Sequence, residues 1–355
     1  MRSSTDQADA PARPGRPRYT RQRSGPLRFL APLLAVLVLL VLITESLALG
    51  SRTLSPEEVW QGLLAYDNSV ASKVVWGLRI HRTILAIVVG ASLAVAGVVM
   101  QALTRNPLAE PGILGVNAGA SLAVVAAIGG LGLTSVNQYL PFAFAGAAAA
   151  AVLVHMMSRR SADSGPARLV LAGVALGASL SSITGTITMY NSKIFDSYRF
   201  WVVGSLENRK LEVLLWVAPF LAVGLVLALA SAHSLNALAL GDEQATALGV
   251  NLAVVRGVAF VALTLLCGAA TAAAGPISFI GLVIPHVVRL LVGADQKHLL
   301  AWSVVAGAGL LLAADVAGRL LIRPTELEAG IVTAFIGAPV LLVLAVTNRT
   351  NRRSA

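Results

Sequence analysis

The chain has 355 residues, 56% of them hydrophobic and 12% charged, with a mean hydropathy of +0.78 and a formal net charge of +10. A soluble domain carries about 25% charged residues, and long apolar runs recur throughout, so the composition excludes a soluble enzyme with one anchor and describes a polytopic membrane protein. The positive balance does not mark a nucleic-acid binder, because the basic residues stand at the ends of apolar runs where they set membrane orientation, and the single cysteine, Cys267, excludes an internal disulfide.

Residues 1–26 are rich in Arg and Pro and almost free of apolar side chains, which predicts a disordered basic cytoplasmic tail lying along anionic lipid. The run that follows, 27–49, is too long for the apolar core of a secretory signal and reads as a retained first span. Ser55, Pro56 and Glu58 have the spacing of a capped helix start, so 54–67 predicts an external surface helix. Further spans are expected at 80–103, 113–132, 137–158, 167–190, 211–231, 252–273, 277–293, 299–317 and 331–347, ten in all. The runs are too long and too rich in Leu and Ala for a barrel. A basic cytoplasmic tail is expected at 349–355.

Several features interrupt these runs. The stretch MQALTRNPLAEPGILGVNAGAS (100–121) carries two prolines and three glycines between two spans. Prolines donate no backbone hydrogen bond, and irregular backbone at membrane depth survives only when packed in protein or lining a cavity. Asn106, Pro107, Pro111, Gly112, Gly115 and Asn117 are therefore candidates for a packed scaffold at an inner gate, with the two asparagines satisfying freed backbone groups. GPISFIG (275–281) reads as a similar break at the outer side before a short helix. Residues 201–213 read as an external connection. Residues 235–251 read as two short helical pieces broken at Gly241. Span 167–190 carries hydroxyls at Ser179, Ser181, Ser182, Thr184, Thr186 and Thr188. Either they line a weakly polar pathway, with Ser179, Ser182 and Thr186 as the candidates, or they bond their own helix. Pairs of small residues four apart, such as Gly90 with Ala94 and Gly173 with Gly177, predict close helix packing.

If the tail is cytoplasmic and every span crosses, seventeen of the 27 Lys and Arg fall inside, which supports cytoplasmic termini. Arg79, Arg82 and Arg319 fall outside. They read either as snorkelling interfacial residues or as forks for a partner's carboxylates, and Asp315 one turn before Arg319 also suggests an i,i+4 pair. The chain has no G-x-x-x-x-G-K-[ST] phosphate loop. Intramembrane carboxylates are few, so any transport is expected to draw energy from another subunit, an ion-coupled secondary carrier being the alternative.

The blocks LRIHRT (78–83), GASLAVAGVVMQALTRNPLAEPGILGVNAGAS (90–121), LVLAGVALGA (169–178), FWVVGSL (200–206), LNALALGDEQATALGVN (235–251), GPISFIGLVIPHVVRLLVGAD (275–295), LLAADVAGRL (311–320) and ELEAGIVTAFIGAPV (326–340) resemble, in order, the permease subunits of ABC importers for iron-siderophores, haem and cobalamin, the FecCD family. The sequence departs from the family pattern at His81 and Glu328, where the family carries proline, and at Gln296 and Lys297. The resemblance implies an all-α permease of the type II importer architecture, with 27–348 as one ten-helix domain. It implies a second permease subunit, two ATPase subunits that hold ATP and Mg, and an extracytoplasmic substrate-binding lipoprotein, with no cofactor or metal on this chain and no catalytic residue. It makes Arg79, Arg82 and Arg319 the lipoprotein-docking positions. It also turns 235–251 from a bland surface loop into the ATPase-docking element, with Leu238, Leu240, Gly241, Asp242, Glu243, Ala245 and Leu248 as its candidates. The expected cargo is a ferric siderophore crossing the cytoplasmic membrane, haem and cobalamin being the other cargoes of the family.

Overall fold

The computed structural model describes residues 27–50, 54–64, 69–133, 135–159, 166–322 and 325–353; the amino-terminal tail and the end of the expected 54–67 helix lie outside the described residues. Among those described, the chain is helical without strands. All ten expected spans are helices: α1 (Leu27–Ala48), α2 (Ile80–Thr104), α3 (Val116–Leu131), α4 (Val136–Arg159), α5 (Pro166–Tyr190), α6 (Leu211–Ala230), α7 (Leu252–Ala274), α8 (Ile280–Val292), α9 (Gln296–Leu321) and α10 (Ala329–Arg353). Among the described residues, six helical stretches are long and apolar enough to cross a membrane, and four shorter apolar ones accompany them.

The surface helix Pro56–Leu64 starts as its sequence predicts: Ser55 N–H donates to Glu58 Oε2 (2.7 Å) and Glu58 N–H to Ser55 Oγ (3.2 Å). Other boundaries differ from expectation. α2 is preceded without a break by Val70–Val74 and a π-helical turn, Val75–Arg79. α10 continues through residues 349–353, which the sequence assigns to a tail. A helix also forms over Ser192–Val202, ahead of the expected connection, with Asn191 Oδ1 accepting from Ile194 N–H (3.2 Å).

α2 is the centre of the bundle, buried along most of its length and packed most extensively against α9, with α7 and α8 on its other sides. Small residues permit this. A Cβ on Gly90 would stand 2.4 Å from Gly307 O, and one on Gly97 would stand 1.9 Å from Gly281 O, so the backbones touch where only glycine fits. Gly119 and Gly146 pair the same way between α3 and α4. α5 is the opposite case. Only 17% of its most apolar window is buried within this chain, and it presents Leu171, Val174, Met189 and Tyr190 to the exterior. Because α2 runs from Ile80 to Thr104, Arg79 and Arg105 mark the two opposite ends of the bundle.

Candidate functional site

At the Arg105 end, residues 235–251 fold as expected into two short helices, Ala232–Ala239 and Asp242–Ala247, broken at Gly241. Gly241 has φ 117° and ψ 159°, a region essentially reserved for glycine, which sets the sharp turn between them. The structure divides the apolar candidates. Leu238 (1% exposed) and Ala245 (0%) are packed inward and hold the element onto the bundle, whereas Leu240 (57%) and Leu248 (65%) face outward. Of the four, only Leu240 and Leu248 stand on the outer surface. Short helices resting on a bundle must bury part of their apolar surface against their own chain, and Glu243 is exposed.

Asp242 opens the second short helix and is held by two arginines. Arg256 Nη2 lies 2.9 and 2.7 Å from its two oxygens, and Arg105 Nη2 pairs with Oδ1. Arg105 Nε also donates to Leu238 O (2.9 Å), so one guanidinium bonds both short helices. Partial burial opposes ionisation of Asp242, but the hydrogen bonds from Arg105 and Arg256 outweigh it and hold the carboxyl below its usual range. Nearby, Asn236 Nδ2 donates to Asp295 Oδ1 (3.0 Å) and Gln296 N–H donates to Asn236 Oδ1 (2.8 Å), which fastens the first short helix to the start of α9. Neither arginine was singled out by the sequence: Arg105 meets Asp242 across 137 positions, and Arg256 meets it across 14 only because the chain folds back at the start of α7.

The two broken segments, expected on opposite sides of the membrane, touch each other. Residues 275–279 start beside Trp201 and Gly204 and run inward, because α8 has only 13 residues and spans about 20 Å. Its first turn meets the 105–115 segment. Glu110 Oε1 accepts Phe279 N–H (2.6 Å), and Pro111 packs against Gly281. Phe279 has φ 71°, a strained value for a bulky residue, and the carboxylate satisfies a helix start that has no cap of its own. Asn106 caps its own turn, Oδ1 accepting from Leu108 N–H (3.0 Å), as expected. Asn117 does not serve the backbone: its Oδ1 accepts from the Thr271 hydroxyl (3.0 Å). Glu110 takes that role instead. It is the one charged residue between Arg105 and Ser121, which is the signal that would have found it. Gly112 lies against Asn117, and Gly115 against Gly173 and Gly177 of α5, so this segment reaches α5 directly.

At the opposite end, Arg82 and Arg319 share the Asp315 carboxylate, with Arg79 and Glu326 beside them. Arg82 Nη2 and Nε lie 2.8 and 3.0 Å from Asp315 Oδ1, and its Nη1 donates to Glu326 Oε2 (2.6 Å). Arg319 pairs with Asp315 and donates to the carbonyls of Ser46 (2.8 Å) and Leu49 (3.1 Å); Arg79 donates to Leu47 O (2.5 Å). Arg79 is 6% and Arg319 2% exposed. The guanidiniums of all three therefore point inward, onto groups of this chain. Charge is costly to bury, so three cations at the edge of an apolar bundle take the internal carboxylates and carbonyls within reach. The i,i+4 pair of Asp315 and Arg319 is present as the sequence suggested.

On α5, Ser179, Ser182 and Thr186 lie on the exposed side, and each hydroxyl donates to the carbonyl four residues back at 2.9 Å. Together with Ala175, Ala178 and Gly185 they form a stripe of small side chains whose donors are already used. Such a surface offers oxygen lone pairs but no strong ligand, which suits passage better than capture.

Residues 37–347 match the model of the FecCD transport family. The chain is 44% identical over 312 residues to the ferric enterobactin transport system permease protein FepD of Escherichia coli (strain K12), covering 87% of this chain and 93% of that protein. It is 39% identical over 331 residues to the Fe(3+)-citrate import system permease protein YfmD of Bacillus subtilis (strain 168), covering 93% and 98%. A solved chain of a metal-chelate type ABC transporter in an inward-facing conformation is similar with a TM-score of 0.78 at 30% identity, covering 89% of this chain and 98% of that one.

Proposed function

Because the chain belongs to the FecCD transport family, we propose that it is the membrane-spanning permease of an ATP-binding-cassette importer that passes a ferric siderophore across the cytoplasmic membrane. ATP and Mg are held and turned over on two partner ATPase subunits. A second permease, identical or homologous, completes the pathway, and an extracytoplasmic lipoprotein delivers the cargo. The Arg105 end faces the cytoplasm, and so do both termini.

The observation that carries this reading is the presentation of Leu240 and Leu248 on either side of a short helix anchored through Asp242. Two exposed leucines at the end of a membrane bundle, on an element fixed by two arginines, fit a cleft on a soluble engine. The small-residue face of α5 and the exposed apolar side chains beside it suit the second permease and the passage between the two. Substrate selection rests with the lipoprotein. It docks at the Arg79 end, where its carboxylates would reach Arg82 only by displacing Glu326. Asn106, Pro107, Pro111, Gly112, Gly115 and Asn117 hold the inner gate.

Vesicles reconstituted with this permease, its ATPase and its receptor test the reading. They should accumulate iron-55 ferric enterobactin or ferric citrate only with ATP, and Leu240→Asp with Leu248→Asp should abolish binding of the ATPase. Accumulation of the chelate by this chain alone, down an ion gradient, would establish a secondary carrier instead.

A further inference from the structure

We propose that residues 105–115 act as a strut that carries the movement of the 242–247 helix to the first turn of α8, with Arg105 as the positioning residue at its driven end. This rests on the importer reading above.

The strut is fixed at two points, each by one side chain. At the first, Arg105 adopts a left-handed backbone (φ 49°) immediately after α2. That turn aims its guanidinium away from α2 and onto Leu238 O and Asp242, so a rotation of either short helix pulls on the residue that begins the segment. At the second, five residues later, Glu110 holds Phe279 N–H at 2.6 Å, and Phe279 is itself in a left-handed conformation.

The 105–115 segment as a whole is stiff. Pro107 and Pro111 fix their own φ angles, Asn106 closes a turn onto Leu108 and Ala109, and Ile113 N–H and Gly115 N–H bond back to Glu110 O (3.2 Å) and Gly112 O (3.1 Å). Coupling between distant sites travels through such contiguous hydrogen-bonded and rigid pieces.

Arg256 provides the contrast. It also grips Asp242, but it belongs to α7 and is not part of the strut's own backbone. If Asp242 merely needs a cation, the two arginines are equivalent. If the strut transmits motion, only Arg105 matters for coupling.

The test measures ATP hydrolysed and ferric enterobactin or ferric citrate accumulated by the same reconstituted complexes. Arg105→Gln should lower the chelate moved per ATP about tenfold while hydrolysis continues. Arg256→Gln should lower it by less than about twofold. Glu110→Gln, whose amide oxygen still accepts from Phe279 N–H, should keep the wild-type ratio, whereas Glu110→Ala should lose it as Arg105→Gln does. Because the two ends act in series, Arg105→Gln combined with Glu110→Ala should lose no more than either alone. Arg105→Lys, which keeps the charge but not the fork, should fall between and serves if the Gln variant assembles poorly.

A wild-type complex that accumulates neither chelate with ATP overturns the importer reading and the strut with it. A working wild type overturns the strut alone if Arg105→Gln and Arg256→Gln lower the ratio equally, if Arg105→Gln leaves it unchanged, or if the losses at Arg105 and Glu110 add.

Discussion

Arg82 and Asp315, 233 positions apart, meet side by side where α2 and α9 cross, and Asp315 serves Arg82 and Arg319 at once. Removing the carboxylate leaves buried Arg319 with no anionic partner and Arg82 with Glu326 alone, and a buried pair broken from one side costs about 3–5 kcal/mol. Asp315→Ala should therefore lower the melting temperature of the purified permease sharply. An unchanged melting curve would mean that Glu326 and the carbonyls compensate the arginines.

Gly97 offers a second stability test. Its missing Cβ would lie 1.9 Å from Gly281 O, and no flexible side chain stands between to give way. Gly97→Ala should separate α2 from α8 and cost about 1–3 kcal/mol or more as overpacking. Gly257→Ala, on α7 with nothing within 4 Å of the added methyl, should be neutral or stabilising by about 0.5–1 kcal/mol, since glycine is a poor helix former. Thermal unfolding of the two variants in detergent should move in opposite directions.

At Gly241 the surroundings are open, so any cost of substitution is backbone strain alone. Gly241→Ala should cost about 1–3 kcal/mol locally and swing Leu248 away from its position. The expected result is a permease that folds but binds its ATPase weakly in a pull-down. Full binding by Gly241→Ala would show that the turn is not needed to present the leucines.

Asp242 sets the pH behaviour of the Arg105 end. Its carboxyl is held below the usual range in the folded chain, so its contribution is present above the ordinary Asp value and is lost as pH falls through the lowered one. Proteolysis of the 235–251 element should distinguish wild type from Asp242→Asn at neutral and mildly acidic pH. The difference should shrink only in strong acid. A difference that vanished already near pH 6 would contradict the charge clamp.

The spans were legible because each is a long apolar run that needs only its own residues to declare itself. The Ser192–Val202 helix was not, since Lys193, Asp196 and Arg199 make it polar enough to pass for a connection. The break at Gly241 was readable locally, but which of Leu238, Leu240, Ala245 and Leu248 faces out depends on what lies beneath them. The same limit explains the arginines: Arg82 finds Glu326 across 244 positions, and charge pattern along the chain carries no trace of that meeting. The two broken segments were each recognisable from proline and glycine, but their contact through Glu110 and Phe279 joins positions 169 apart.

The backbone contact of Gly90 with Gly307 fixes what can turn against what. With no side chains between them, α2 and α9 have no layer of flexible atoms to shear, so the pair behaves as a single mast. Any alternation between inward and outward openings must then be made by elements standing off the mast. α5, the most exposed of the long spans, is itself joined backbone to backbone to the 105–115 segment at Gly173 and Ile113, so a tilt of α5 against the mast carries that segment with it.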